Sequence, residues 1–142
     1  MIKQNIVFVP NRAGSLREVT KLLASEGIDI YGFACFDAPE FALFRMVSNG
    51  AEKASEVLTK HGFINRVTNV IAVDLKDEIG GLDEILHVVG EGNISLDYIY
   101  TSFHRNNPLP VVILHSQEDM LVTESVIRNN GFHVLESVDE LQ

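Results

Sequence analysis

The feature that most constrains this chain is a corner written twice. The apolar run Ile-Val-Phe-Val (6–9) leads into Asn-Arg-Ala-Gly-Ser-Leu (11–16), and Val-Ile-Ala-Val (70–73) leads into Asp-Glu-Ile-Gly-Gly-Leu (77–82). Each corner is followed by apolar residues at helical spacing: Leu16, Val19, Leu22 and Leu23 in one case, Leu82, Ile85, Leu86 and Val89 in the other. An i, i+3, i+4, i+7 pattern buries one helix face. A repeat of this length means one supersecondary unit used twice, and it must be found before the fold is read.

With Gly14 aligned on Gly80, the remaining elements fall into step. Each helix is expected to end at a glycine, Gly27 or Gly92, as a C-cap would. A second strand follows over 28–36 or 93–103, then a turn containing proline, Asp-Ala-Pro-Glu (37–40) or His-Arg-Asn-Asn-Pro-Leu-Pro (104–110). A third strand is predicted over 41–48 or 111–116, and a second helix over 51–61 or 118–130. Gly-Phe closes each helix, at 62–63 and 131–132, before a short last strand. Each half therefore reads β-α-β-β-α-β, the split βαβ or ferredoxin-like arrangement of an α+β domain. The halves are 1–69 and 70–142, and units of that size bury a limited fraction of their surface.

Bulk properties exclude several classes. Apolar residues make up 46% of 142, enough for a core, yet no apolar run approaches the roughly 20 residues that span a bilayer. No secretory leader pattern opens the chain, and a single cysteine, Cys35, rules out an intrachain disulfide and a multi-cysteine metal site. These features predict a cytoplasmic protein with no membrane partner. The net charge of −9 is concentrated in residues 70–142, where thirteen Asp/Glu face three Lys/Arg. Such a surface repels phosphate backbones, so nucleic acid is not an expected partner. No two of the five histidines stand at metal-pair spacing, and no acid, base and nucleophile recur in a recognisable constellation. No enzyme activity, cofactor or metal is expected.

The paired motifs Asn-Arg-Ala-Gly-Ser-Leu with Ser-Glu-Gly-Ile-Asp-Ile (25–30), and Asp-Glu-Ile-Gly-Gly-Leu with Gly-Glu-Gly-Asn-Ile-Ser (90–95), resemble the ACT domain family over almost the whole chain. The chain looks like the small stand-alone proteins made of two ACT domains. That resemblance implies two ACT domains side by side, an eight-stranded antiparallel sheet with four helices on one face, and a regulatory module that binds a free amino acid or related small metabolite. It also implies a ligand at the domain interface, gripped by the corner between the first strand and first helix, and a homodimer or a partner enzyme to receive the signal. One departure is the absence of the proline that the family often places before the glycine; here Ala13 and Ile79 occupy those positions.

The corner suits a zwitterion on physical grounds. The first N–H groups of a helix have no intrahelical partner, and the macrodipole adds positive charge there, so a carboxylate is favoured. Glycine admits close approach and positive φ. Candidate ligand-binding residues are Asn11, Arg12, Ala13, Gly14, Ser15 and Leu16 at the first corner, and Asp77, Ile79, Gly80, Gly81 and Leu82 at the second. Tyr98 and Tyr100 share one face of a second strand and join the set as residues able to cover a ligand side chain. The corners differ in charge. Asn11, Arg12 and Ser15 favour a carboxylate, whereas Asp77 favours an amino group, and Asp83 and Glu84 compete for the helix N–H groups. The same residue types are also ordinary turn and cap chemistry, so a regulatory or structural subunit of an amino-acid-metabolism enzyme, with empty corners, is the alternative.

Overall fold

A computed structural model describes residues 1–142. The chain forms β1 (Ile2–Pro10), α1 (Ser15–Ser25), β2 (Ile30–Asp37), β3 (Phe41–Ser48), α2 (Ala51–Lys60), β4 (Asn65–Asp74), α3 (Gly81–Glu91), β5 (Leu96–Ser102), β6 (Val111–Ser116), α4 (Met120–Asn129) and a 3-10 turn at Val138–Leu141. By contacts the chain divides into a first unit, Lys3–Thr68, and a second, Asn69–Gln142 together with Met1–Ile2.

In the first unit β3 lies between β1 and β2, antiparallel to both, with Asn5 opposite Met46 and Pro10 opposite Phe41. The fourth stretch runs along the other side of β1: the Phe8 amide donates to the Ile64 carbonyl, and the Gln4 side chain donates to Thr68 Oγ1. The two helices pack their apolar faces on this sheet. Val19 and Leu23 of α1 and Ala54 and Leu58 of α2 share one core with Val7, Val9, Phe44 and Met46. Alternate strand residues point the same way, which is why 7 and 9, or 44 and 46, reach the same cluster.

The second unit repeats the plan. Here β6 lies between β4 and β5, with Ile71 opposite Leu114 and Ser102 opposite Val111. Ile85 and Val89 of α3 and Ile127 of α4 pack with Ile71, Val73, Val112 and Leu114. The likeness extends to irregularities. The register shifts between Ile30 and Gly32 in one unit and between Leu96 and Tyr98 in the other. Ile28 donates back to Leu23 after α1, and Ile94 donates back to Val89 after α3.

Two expectations need correction. The chain has six strands, not eight. The last strand of the first repeat and the first of the second are one continuous strand, β4, because residues 65–74 contain neither glycine nor proline to break it. The last strand of the second repeat shrinks to a single bridge, Val73 with Val134, supported by the Leu135 amide on the Ala72 carbonyl. Its continuation is captured instead by the 3-10 turn, where Ser137 and Glu140 form a reciprocal capping box and Leu141 is fully buried. Gly92 does end α3 as its C-cap, at φ −76°, and the left-handed residue that follows is Asn93, at φ 56°. Asparagine tolerates that region better than other non-glycine residues, so it replaces the glycine that serves at position 27.

Candidate binding site

At the first corner β1 stops at Pro10, which ends the ladder, and the chain turns so that the Arg12 amide donates to the Pro10 carbonyl. Gly14 stands before α1 at φ 84°, a left-handed value that a side chain would strain. It places no side-chain cap on the helix. The Ser15 amide is taken by the Arg12 carbonyl and the Glu18 amide by that of Gly14. The amides of Leu16 and Arg17 keep no partner, which leaves two N–H groups open at the positive end of the helix. By contrast, α4 closes its own start, with the Leu121 amide donating to Asp119 Oδ1 at 2.9 Å.

A shallow hollow of about 540 Å³ lies beside this corner, lined by Asn11, Arg12, Ala13 and Leu16, with Cys35 and Asp37 opposite them on β2. Asn11 is turned by its amide, which donates to the Ala38 carbonyl at 3.1 Å and ties the corner to the β2–β3 turn. Its side-chain oxygen remains available as an acceptor. Arg12 approaches Glu18 at 3.7 Å, with both side chains largely exposed, so the pair is weak and Arg12 is free to take another anion. Ser15 is buried, and its hydroxyl has no partner and no access to solvent. In this conformation Ser15 offers a ligand neither its hydroxyl, which is buried, nor its amide, which the Arg12 carbonyl holds. Cys35 is exposed, not a core residue. Partial burial and the neighbouring Asp37 carboxylate both raise its pKa, so the thiol stays protonated and is no nucleophile at neutral pH.

The second corner has the same backbone with different surroundings. Gly80 has φ 88°, the Gly81 amide goes to the Glu78 carbonyl and the Glu84 amide to that of Gly80, leaving Leu82 and Asp83 with open amides. Asp83 and Glu84 stand in that first turn, and Lys76 reaches Glu84 at 3.3 Å. Gly81 is buried, and a Cβ there would lie 2.3 Å from the Lys76 carbonyl oxygen. Asp77 and Gly80 are exposed, and Ile79 projects fully into solvent. Asp77, Ile79, Gly80, Gly81 and Leu82 stand apart from the hollow at the first corner.

Tyr98 and Tyr100 do share a face of β5. Their rings lie 6.5 Å apart and nearly parallel, and Tyr98 also stacks on His115 at 5.2 Å. The His115 ring in turn meets Asp97 at 2.7 Å. Tyr100 is buried, and neither tyrosine lines the hollow at the first corner. Sequence reasoning had not singled out Asp37. The signal was present in Asp-Ala-Pro-Glu, which reads as a turn, but only the pairing of β2 with β3 sets that aspartate across from the corner.

The sequence profile of the ACT domain pair matches residues 1–140. The chain belongs to the ACT domain pair family. No curated protein sequence matches it. Among solved structures, a protein from Bacteroides thetaiotaomicron is similar, with 25% identity and a TM-score of 0.85, over 94% of this chain and 91% of that one. The ligand-free regulatory subunit of aspartate kinase from Thermus thermophilus shares the fold at 12% identity and a TM-score of 0.61, covering 91% of each chain. The corresponding subunit from Thermus flavus has 13% identity and a TM-score of 0.57, over 89% of this chain and 90% of its own. An ACT pair is a regulatory module of ferredoxin-like units, and no helix of this one is long and apolar enough to cross a membrane.

Proposed function

We propose that this ACT pair is a cytoplasmic regulatory protein that binds a free amino acid, or a close relative of one, at the corner between β1 and α1, and that it performs no catalysis. The observation that carries this reading is the pairing of opposite charges across one hollow. Arg12 and Leu16, whose amide is open and is followed by the open amide of Arg17, stand on one side, and Asp37 stands on the other. The carboxylate of a zwitterion meets the amides of Leu16 and Arg17 and the Arg12 guanidinium, where helix polarity and charge favour it. Its ammonium meets Asp37 and the Asn11 side-chain oxygen. The second corner is a poorer carboxylate site, because Asp77, Glu78, Asp83 and Glu84 surround its open amides with negative charge. There the ammonium end of a ligand is favoured instead, with Asp77 as its partner.

Since no catalytic constellation accompanies the site, the bound state must be passed on by contact, to a second copy or to a partner enzyme. The exposed apolar residues Ile79, Leu82 and Leu86 at the start of α3 support such a contact. The test is thermal unfolding against each of the twenty amino acids. A ligand at about 100 times its dissociation constant adds ~2.7 kcal/mol. For this chain length that raises the midpoint by several degrees. We expect one or two amino acids to do so. A midpoint unmoved by all twenty would overturn the reading in favour of a subunit whose corners are empty turns.

A further inference from the structure

The second unit holds a hollow that the corner site does not use. It has a volume of about 260 Å³ and lies where the end of β4, the start of α3 and the turn after α4 meet. Its polar walls are Asp74, Lys76, Glu84, Asn130 and His133, and Leu75, Leu109 and Phe132 supply an apolar side. A water molecule takes ~30 Å³, so the space admits a small metabolite.

The unusual group is Asp74. Its side chain is only 13% exposed, and one carboxylate oxygen, Oδ1, is sealed from solvent without a hydrogen-bond partner. The His133 ring stands beside it, but its Nε2 lies 3.9 Å from Oδ2, too far for a hydrogen bond. That ring is engaged by Glu140 at 2.9 Å. Lys76 is no partner either, since it pairs with Glu84 across the rim. Native proteins rarely leave a carboxylate this buried without a donor. The remaining neighbour, His104, likewise has a buried Nδ1 with no partner. The charged lining is thus one unmatched carboxylate beside an ion pair that is already satisfied.

We propose that this hollow binds a small primary ammonium compound, whose charged head donates to Asp74 Oδ2, the carboxylate oxygen that is not sealed, and whose short carbon chain lies against Leu75, Leu109 and Phe132. An ammonium has three donors and no acceptor, which matches a carboxylate lacking donors. A carboxylate-bearing ligand is disfavoured, because Asp74, Glu84 and Glu140 repel it and Lys76 is occupied. The electrostatics agree. Burial raises the Asp74 pKa and Glu140 adds to this, while His133 and His104 pull the other way. A bound ammonium supplies the counter-charge that Asp74 lacks. The site is separate from the first corner, which lies in the other unit and requires a carboxylate.

The experiment is a backbone-amide NMR titration of the full chain with ethylammonium, ethanolamine and 1,4-diaminobutane. None of these carries a carboxylate, so none reports on amino-acid binding at Leu16 and Arg17. At least one is expected to give saturable shifts at Lys76, Gly131, Phe132 and His133, and Asp74→Asn is expected to weaken them about tenfold or more. Leu109→Trp, which fills the hollow from its rim without touching a buried polar group, is expected to weaken them as well. It decides the matter if Asp74→Asn fails to fold. No saturable shift at those residues with any amine up to about 10 mM would overturn the proposal. So would affinity unchanged by Asp74→Asn, or by Leu109→Trp where that variant decides.

Discussion

At the first corner Asn11, Arg12 and Ser15 surround the left-handed glycine; at the second the matching positions hold Asp77, Glu78 and Gly81, although Gly14 and Gly80 adopt φ values of 84° and 88°. The first opens onto a hollow that contains both a guanidinium and a carboxylate. The second folds the Lys76 carbonyl against its own helix start and fills the first helical turn with acid. A repeated backbone is therefore not a repeated site. Glycine fixes where the open amides point, and the side chains decide whether an anion is welcome there.

The largest effect should come from placing alanine at the matching position of each corner. Gly81→Ala pushes a methyl group into the backbone carbonyl of Lys76, which has no flexible end to move aside. Overpacking of this kind costs about 1–3 kcal/mol, and we expect the upper end, read as a lower urea midpoint. Ser15→Ala, at the matching position, removes a buried hydroxyl that has no partner. It should leave stability unchanged or raise it by up to about 1 kcal/mol. Equal losses from the two substitutions would show that the corners are not packed differently.

A smaller effect separates the units by pH. Burial tends to raise the Glu140 pKa, but hydrogen bonds from the Glu136 and Ser137 amides and from His133 outweigh it and leave the pKa lowered. A carboxyl lowered in the folded state contributes stability that is complete above its unfolded pKa of about 4.3 and is lost as pH falls through the folded value. Asp74, raised by burial, has the opposite sign: its contribution is present in acid and is lost as pH rises through its folded value. Both groups belong to the second unit. Urea midpoints followed from about pH 6 to 3 should fall less in Glu140→Gln than in the parent chain. Because Glu140 is 37% exposed, the difference should stay under about 1 kcal/mol. An unchanged acid slope would remove Glu140 from the account.

Much of the fold is legible in the residues. The helical spacing of Val19 and Leu23, or of Ile85 and Val89, marks the buried faces, and third strands over 41–48 and 111–116 match β3 and β6. The left-handed glycines at 14 and 80 follow from the corner itself. What escaped the sequence depends on tertiary partners. The lack of a breaker permits one strand over residues 65–74, but nothing local says what it pairs with, or that the chain after Leu135 gains more by burying Leu141 than by extending the sheet. The corner residues could be named from the sequence. Asp37 could not, because strand pairing brings it to the hollow, and Asp74 drew no attention because an aspartate at a strand end looks like a turn residue.

The most direct test follows the backbone amides at both corners while a free amino acid that stabilises the protein is added. The account predicts saturable shifts at Leu16 and Arg17, with affinity reduced about tenfold by Arg12→Ala or by Asp37→Asn, and smaller or absent shifts at Leu82 and Asp83. Shifts centred on Leu82 and Asp83 instead, or affinity indifferent to both substitutions, would contradict it.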